Sequence, residues 1–182
     1  MVKRFKDPKK LIKRIAITGP ESTGKSTLSE KVAKHFKTIW VPEYARDYIG
    51  SLNHPYDFND VEKIAKTQLQ QEDALLKKVN RLIFTDTELI VIKIWMEYKF
   101  NTVPEWVEKE ISNRKYDLYL LCDIDLEWKF DPQREYPHKR EYFFNYFKKE
   151  LENRGFNYEI ISGNSQQRMK TAINAVKKLL NE

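Results

Sequence analysis

The 182-residue sequence has a single cysteine, Cys122, and so no internal disulfide. A chain of this kind suits a reducing compartment, and the expected location is the cytoplasm. The neighbours Leu120, Leu121 and Ile124 make that thiol a core group and not a nucleophile. No apolar run approaches the length that crosses a bilayer, since the most apolar stretch, Leu89 to Trp95, is short and carries Lys93. A secretory leader is not expected either, because the first apolar stretch is broken by Lys13 and Arg14 and ends in Gly19 without a small-residue cleavage site. Glycine and proline are scarce, at 5 and 7 residues, which excludes fibrous and low-complexity classes. His35, His54 and His138 stand far apart with no cysteine beside them, so a zinc site has no support.

What is present is a globular composition, 41% hydrophobic and 33% charged, at a length suited to one domain. We read a single domain over residues 1–182, with a basic extension at 1–12. The net charge of +6 is unevenly spread: the start carries Lys3, Arg4, Lys6, Lys9, Lys10, Lys13 and Arg14 against Asp7. A solvated end accounts for such a run, the alternative being an arm for nucleic acid or an anionic membrane surface. The expected partners are a small molecule, with no nucleic acid and no stable membrane association.

Short β-type runs alternate with helical stretches, the pattern of helices packed on a parallel sheet, so the fold class is α/β. Strands are predicted at Arg14 to Thr18, Thr38 to Pro42, Arg81 to Thr85, Asp117 to Asp123 and Tyr158 to Ile161. A long helix capped by Asp57 or Asn59 has the buried stripe Val61, Ile64, Ala65, Leu69, Leu75, Leu76 and Val79. Pro104 suits the first turn of another helix. In the last, Met169, Ala172, Ile173, Val176 and Leu180 recur at helical spacing, with Ser165 as cap.

Ile15 to Thr18 runs straight into Gly19, Pro20, Glu21, Ser22, Thr23, Gly24, Lys25 and Ser26, and a helix begins near Thr27. This is GxxxxGKS in strand, loop and helix context. Glycines let the loop fold back so that backbone N–H groups point at phosphate oxygens, while the helix start adds its positive dipole end. Lys25 reaches the β- and γ-phosphates of ATP, and the Ser26 hydroxyl takes a place on Mg²⁺. The third predicted strand is apolar and runs into Asp86, which holds the same metal from the opposite side or caps the next helix.

Trp40 to Arg46 lies at the carboxyl end of the second strand, where ligands gather in open α/β sheets. Here Glu43 can accept a proton from an attacking hydroxyl, bind a sugar hydroxyl, support the metal, or merely pair with Arg46. Tyr44 and Arg46 join it as candidate acceptor contacts. Between Asp125 and Arg140, the residues Glu127, Trp128, Asp131, Arg134, His138, Lys139 and Arg140 make a cationic loop fit to close over a γ-phosphate. Arg134 and Arg140 are its candidates. An exposed polar loop would have the same composition. Trp95, Tyr98 and Phe100 suit core or pocket wall better than a platform for single-stranded nucleic acid.

Taken together, GPESTGKST, PEYAR, FTDTE, DLYLLCDIDLEW, the Asp131 to Arg134 pair and YEIISG resemble the NadR-type ribosylnicotinamide kinase domain, from about Arg14 to the last residue. The resemblance implies a P-loop kinase fold, a three-layer sandwich with a five-stranded parallel sheet and a lid near residues 125–140. It implies ATP with Mg²⁺ and phosphorylation of the 5′-hydroxyl of nicotinamide riboside. It puts Glu43 where nucleoside kinases handle the substrate hydroxyl, Arg134 in the lid, and Gly163 and Asn164 beside the adenine. The ring-stacking aromatics of that domain fall at Pro42 and Ala74, so Trp40, Trp95 or Trp128 is left to stack. The alternatives are a kinase of another nucleoside or small metabolite, and a non-catalytic ATP- or GTP-binding switch or lipid-surface adaptor.

Overall fold

The computed structural model describes residues 12–182. Most of the basic extension expected at 1–12 lies outside the described residues. The order is β1 (Lys13–Thr18), α1 (Lys25–His35), β2 (Trp40–Val41), α2 (Tyr44–Gly50), α3 (Phe58–Leu76), β3 (Leu82–Asp86), α4 (Leu89–Phe100), α5 (Glu105–Asn113), β4 (Leu118–Cys122), α6 (Arg140–Asn153), β5 (Tyr158–Ile161) and α7 (Ser165–Leu180). A short 3₁₀ turn, Pro137–Lys139, precedes α6.

All strand pairs are parallel, in the order β2-β3-β1-β4-β5. The alternation of side chains along a strand sorts them into two layers. On one face Ile15, Ile17, Leu118, Leu120 and Cys122 meet Leu28, Val32 and Ala33 of α1 and Ala172 and Val176 of α7. On the other, Ala16, Tyr119 and Leu121 meet Ile64 and Leu69 of α3, Ile90 and Ile94 of α4, and Phe147 and Leu151 of α6. The expected three layers with a five-stranded parallel sheet are therefore observed. No helix among the described residues is long and apolar enough to cross a membrane.

The local differences have physical causes. β2 pairs only over Trp40–Val41, because it is an edge strand bonded to β3 alone and Pro42 has no N–H for a ladder. α3 is capped by Asp57, and not by Asn59, through a reciprocal capping box with Asp60. That helix ends at Leu76, so Val79 falls beyond its stripe. Pro104 stands one residue before the first turn of α5, its carbonyl accepting from the Val107 N–H at 2.9 Å. α7 is capped by Asn164, one residue before the expected Ser165.

Candidate active site

The loop after β1 turns back through three residues with positive φ, Gly19 at 126°, Ser22 at 56° and Gly24 at 78°. Gly19 is fixed by contact as well as by φ: a Cβ there would lie 2.8 Å from the Cys122 carbonyl oxygen at the end of β4. Gly24 occupies the N-cap of α1 in the left-handed region and brings no capping side chain, so the first N–H groups of α1 stay available to an anion. Inside the loop the Thr23 hydroxyl donates to the Pro20 carbonyl at 2.8 Å, and Lys25 Nζ donates to the same oxygen at 2.7 Å.

This loop forms one wall of a cavity of about 250 Å³ lined by Gly19 to Thr27. Glu43, Ala45, Arg46 and Ile49 line a second side. Tyr56, Trp95, Tyr98, Tyr136, Phe143 and Phe147 supply an aromatic wall. Trp95 meets Tyr56 edge-on at 5.0 Å, and its Nε1 donates to the Tyr56 hydroxyl at 3.1 Å. Tyr98 meets Tyr136 edge-on at 5.1 Å. Arg134 also lines the cavity and donates to the Lys129 carbonyl at 2.5 Å.

Behind these groups lies Asp86, 1% exposed, with Oδ1 buried and without a hydrogen-bond partner. Burial, then the neighbouring charge of Glu43, push its carboxyl up to about 6 against the pull of the Ser26 hydroxyl and the Lys25 ammonium. The next helix is capped by Glu88 and not by Asp86, which leaves the Asp86 carboxylate uncommitted. A buried acid with one unpartnered oxygen beside a serine hydroxyl is a donor set that fits a hard divalent cation.

The other predicted residues are placed as follows. Arg140 donates to the Leu126 carbonyl at 2.8 Å and to the Ser22 carbonyl at 3.2 Å, with its guanidinium 6.0 Å from the Trp128 ring. Trp128 thus packs under Arg140 and does not line the cavity. Tyr44 also stands outside the wall, 5.7 Å from Tyr48, and its N–H donates to Gln68. The Asn164 side-chain oxygen caps α7, accepting from the Gln166 and Gln167 N–H groups. Trp40 packs into the layer under α1. Neither Pro42 nor Ala74 lines the cavity, both side chains being exposed elsewhere.

Three groups at the site were not singled out from the sequence. Arg168 of α7, 5% exposed, donates to the carbonyls of Thr23 (3.0 Å), Asp123 (3.0 Å) and Gly163 (2.9 Å) and pairs with Asp125. It thereby ties the loop to the ends of β4 and β5. Gln68 and the Tyr56–Glu135 pair are the others. None had a usable signal, since each gains its meaning from partners remote in sequence.

The structure of NadR in complex with NR aligns at a TM-score of 0.81 and 22% identity, over 94% of this chain and 52% of that one. Deoxyadenosine kinase from M. mycoides aligns at 0.64 and 15%, over 91% of this chain and 99% of the other. At these identities the likeness establishes a shared fold. In sequence the chain is 31% identical over 127 residues to the trifunctional NAD biosynthesis/regulator protein NadR of Salmonella typhimurium, a match that takes in 68% of this chain and 31% of that protein. It spans about a third of that relative's length. A profile of the AAA domain family matches residues 14–168, most of the described chain, and the protein belongs to that family.

Proposed function

We propose that this chain is an ATP-dependent kinase that transfers the γ-phosphate to the 5′-hydroxyl of nicotinamide riboside, giving nicotinamide mononucleotide. The observation that carries the proposal is one shared cavity, in which the phosphate loop, Glu43 and Arg134 face an aromatic wall. A binder of nucleotide alone has no use for that wall or for a carboxylate at position 43. The NadR likeness supports the choice of acceptor.

Phosphoryl transfer needs placement and neutralisation of charge more than covalent help. Lys25 exchanges the Pro20 carbonyl for β- and γ-phosphate oxygens, and the N–H groups of the loop and of α1 hold the remainder. The acceptor oxygen bonds to the γ-phosphorus as the bond to the β-phosphate oxygen breaks. Its proton passes to the Glu43 carboxylate and ADP leaves. Arg134 meets the charge developing on the transferred group. Ser26 and Asp86 would hold Mg²⁺, which supplies positive charge to the β- and γ-phosphates. The wall of Tyr56, Trp95 and Tyr136 holds a flat ring and keeps out water. The proposed lid is the connection from about 125 to 140, and the proposed location is the cytoplasm.

A second reading, a kinase of another nucleoside, is favoured by one observation: positions 42 and 74 stand outside the cavity, so the ring would be held by residues other than those the family resemblance suggests. ADP release measured across a panel of nucleosides separates the two. Turnover with nicotinamide riboside well above that with the common nucleosides is expected. Turnover only with another nucleoside would replace the acceptor, and no turnover with any would favour a nucleotide switch.

A further inference from the structure

A carboxylate inside a phosphate loop is a contradiction unless it is used elsewhere. The positive-φ turn of the loop, the uncapped start of α1 and the Lys25 ammonium are suited to a polyanion, and a negative side chain at position 21 pointing the same way would repel it. Glu21 points across the cavity instead. Its carboxylate accepts the backbone N–H of Glu135 at 3.1 Å and of Tyr136 at 3.3 Å, both in the connection between β4 and α6. The adjacent Ser22 hydroxyl accepts the Lys129 N–H from the same connection at 2.9 Å.

The segment so held is fastened on its far side too. The Glu135 carboxylate accepts from the Tyr56 hydroxyl at 2.8 Å and from Lys99 Nζ at 2.7 Å, while Gln133 Nε2 donates to the Arg46 carbonyl at 3.1 Å. Tyr56 lines the cavity, as do Gln133, Glu135 and Tyr136. Residue 135 is therefore a joint: its peptide N–H is held by the phosphate loop and its side chain by the aromatic wall.

We propose that Glu21 is a positioning residue and not a nucleotide ligand: its carboxylate seats residues 133–136 across the cavity, so that the phosphate loop sets the place of the acceptor wall. Tyr136 then stands against Tyr98 because Glu21 holds its N–H, and moving the carboxylate loosens the wall without touching the phosphate cradle. The inference rests on the kinase reading only where turnover is concerned.

The test compares wild type, Glu21→Ala and Glu21→Gln by amide exchange and by AMP-PNP affinity, neither of which needs an acceptor. In Glu21→Ala the Glu135 and Tyr136 amides should exchange about tenfold faster or more, as expected on losing hydrogen bonds to a carboxylate. AMP-PNP affinity should stay within about twofold of wild type, and Glu21→Gln, which keeps one acceptor oxygen, should fall between. With the acceptor identified by the nucleoside panel, Glu21→Ala should raise its KM more than it lowers kcat, and should raise ATP hydrolysis without acceptor relative to transfer. Unchanged exchange at 135 and 136, or a large loss of AMP-PNP affinity with an unchanged acceptor KM, would overturn the proposal. If Glu21→Ala does not fold, Glu21→Gln alone decides on the same readouts. Absence of turnover in wild type would refute the kinase reading and leave the exchange result standing.

Discussion

Gln68 of α3, 2% exposed, holds the ends of β2 and β3 together. Its amide oxygen accepts from the Tyr44 N–H at 2.9 Å, and its amide nitrogen donates to the carbonyls of Pro42 at 3.1 Å and Asp86 at 3.3 Å. One uncharged side chain thus sets the spacing between Glu43 and Asp86. Gln68→Leu keeps the volume and strands those backbone groups, at a cost of about 1–3 kcal/mol. Urea unfolding should register the loss, and turnover should fall although Gln68 touches neither substrate.

Lys25→Ala removes the charge proposed to meet the β- and γ-phosphates. Transfer should fall by about a hundredfold or more while the fold persists, because the Pro20 carbonyl that Lys25 bonds is also held by Thr23. Steady-state ADP release, with circular dichroism as the check on folding, measures this. A near-normal rate would refute the assignment.

Glu43→Gln should lower kcat far more than it lowers ATP affinity, since the group is assigned to the acceptor. It should also let the Asp86 carboxyl drift back towards its ordinary range, because the Glu43 charge is second only to burial in holding it up. Carbon-13 titration of Asp86 reads the second effect without any turnover. Equal losses of affinity and rate would make Glu43 structural.

Glu88 gives a pH dependence of stability. Its carboxylate, 2% exposed, accepts from the Ile90 N–H at 2.6 Å and the Thr18 hydroxyl at 3.0 Å, and burial pushes the carboxyl up from 4.5 to about 7. The folded state holds this proton more tightly than the unfolded chain does. Stability from this group is therefore present below about pH 4.5, is lost as pH rises to about 7, and changes no further above that. Glu88→Gln keeps an oxygen for Ile90 and carries no charge, so at pH 8 it should exceed wild type by up to about 3 kcal/mol. Urea midpoints at pH 5 and pH 8 give the comparison; a difference independent of pH would contradict it.

The phosphate loop was legible because it is local: strand, glycines, lysine and helix start follow one another within a few residues. The short apolar runs of β1 and β4 likewise marked them as strands, although which residues face each helical layer was not legible because both runs are buried on both faces. Element ends were less legible, because Asn164 and Ser165 can both cap a helix and only the extended backbone at Asn164 decides between them. Of the aromatic wall, Trp95 and Tyr98 were legible as pocket-wall candidates, whereas Tyr56 and Tyr136 were not, since they come from separate segments that meet α4 only in the fold. Arg168 looked like one more polar position on an amphipathic helix. Its meaning lies in three carbonyls supplied by other parts of the chain.

The backbone of Cys122 meets Gly19 at the phosphate loop, while its side chain, the only thiol of the sequence, is buried in the layer with α1 and α7, 0% exposed and pushed up to about 12 by burial. A thiol of that kind is inert to maleimides and iodoacetamides at neutral pH. The 182-residue sequence is in effect a cysteine-free background for labelling. A cysteine introduced at Phe130, which is 87% exposed, can carry a fluorophore or spin label as the sole reactive site, so motion of the connection can be followed with residues 19–27 unaltered.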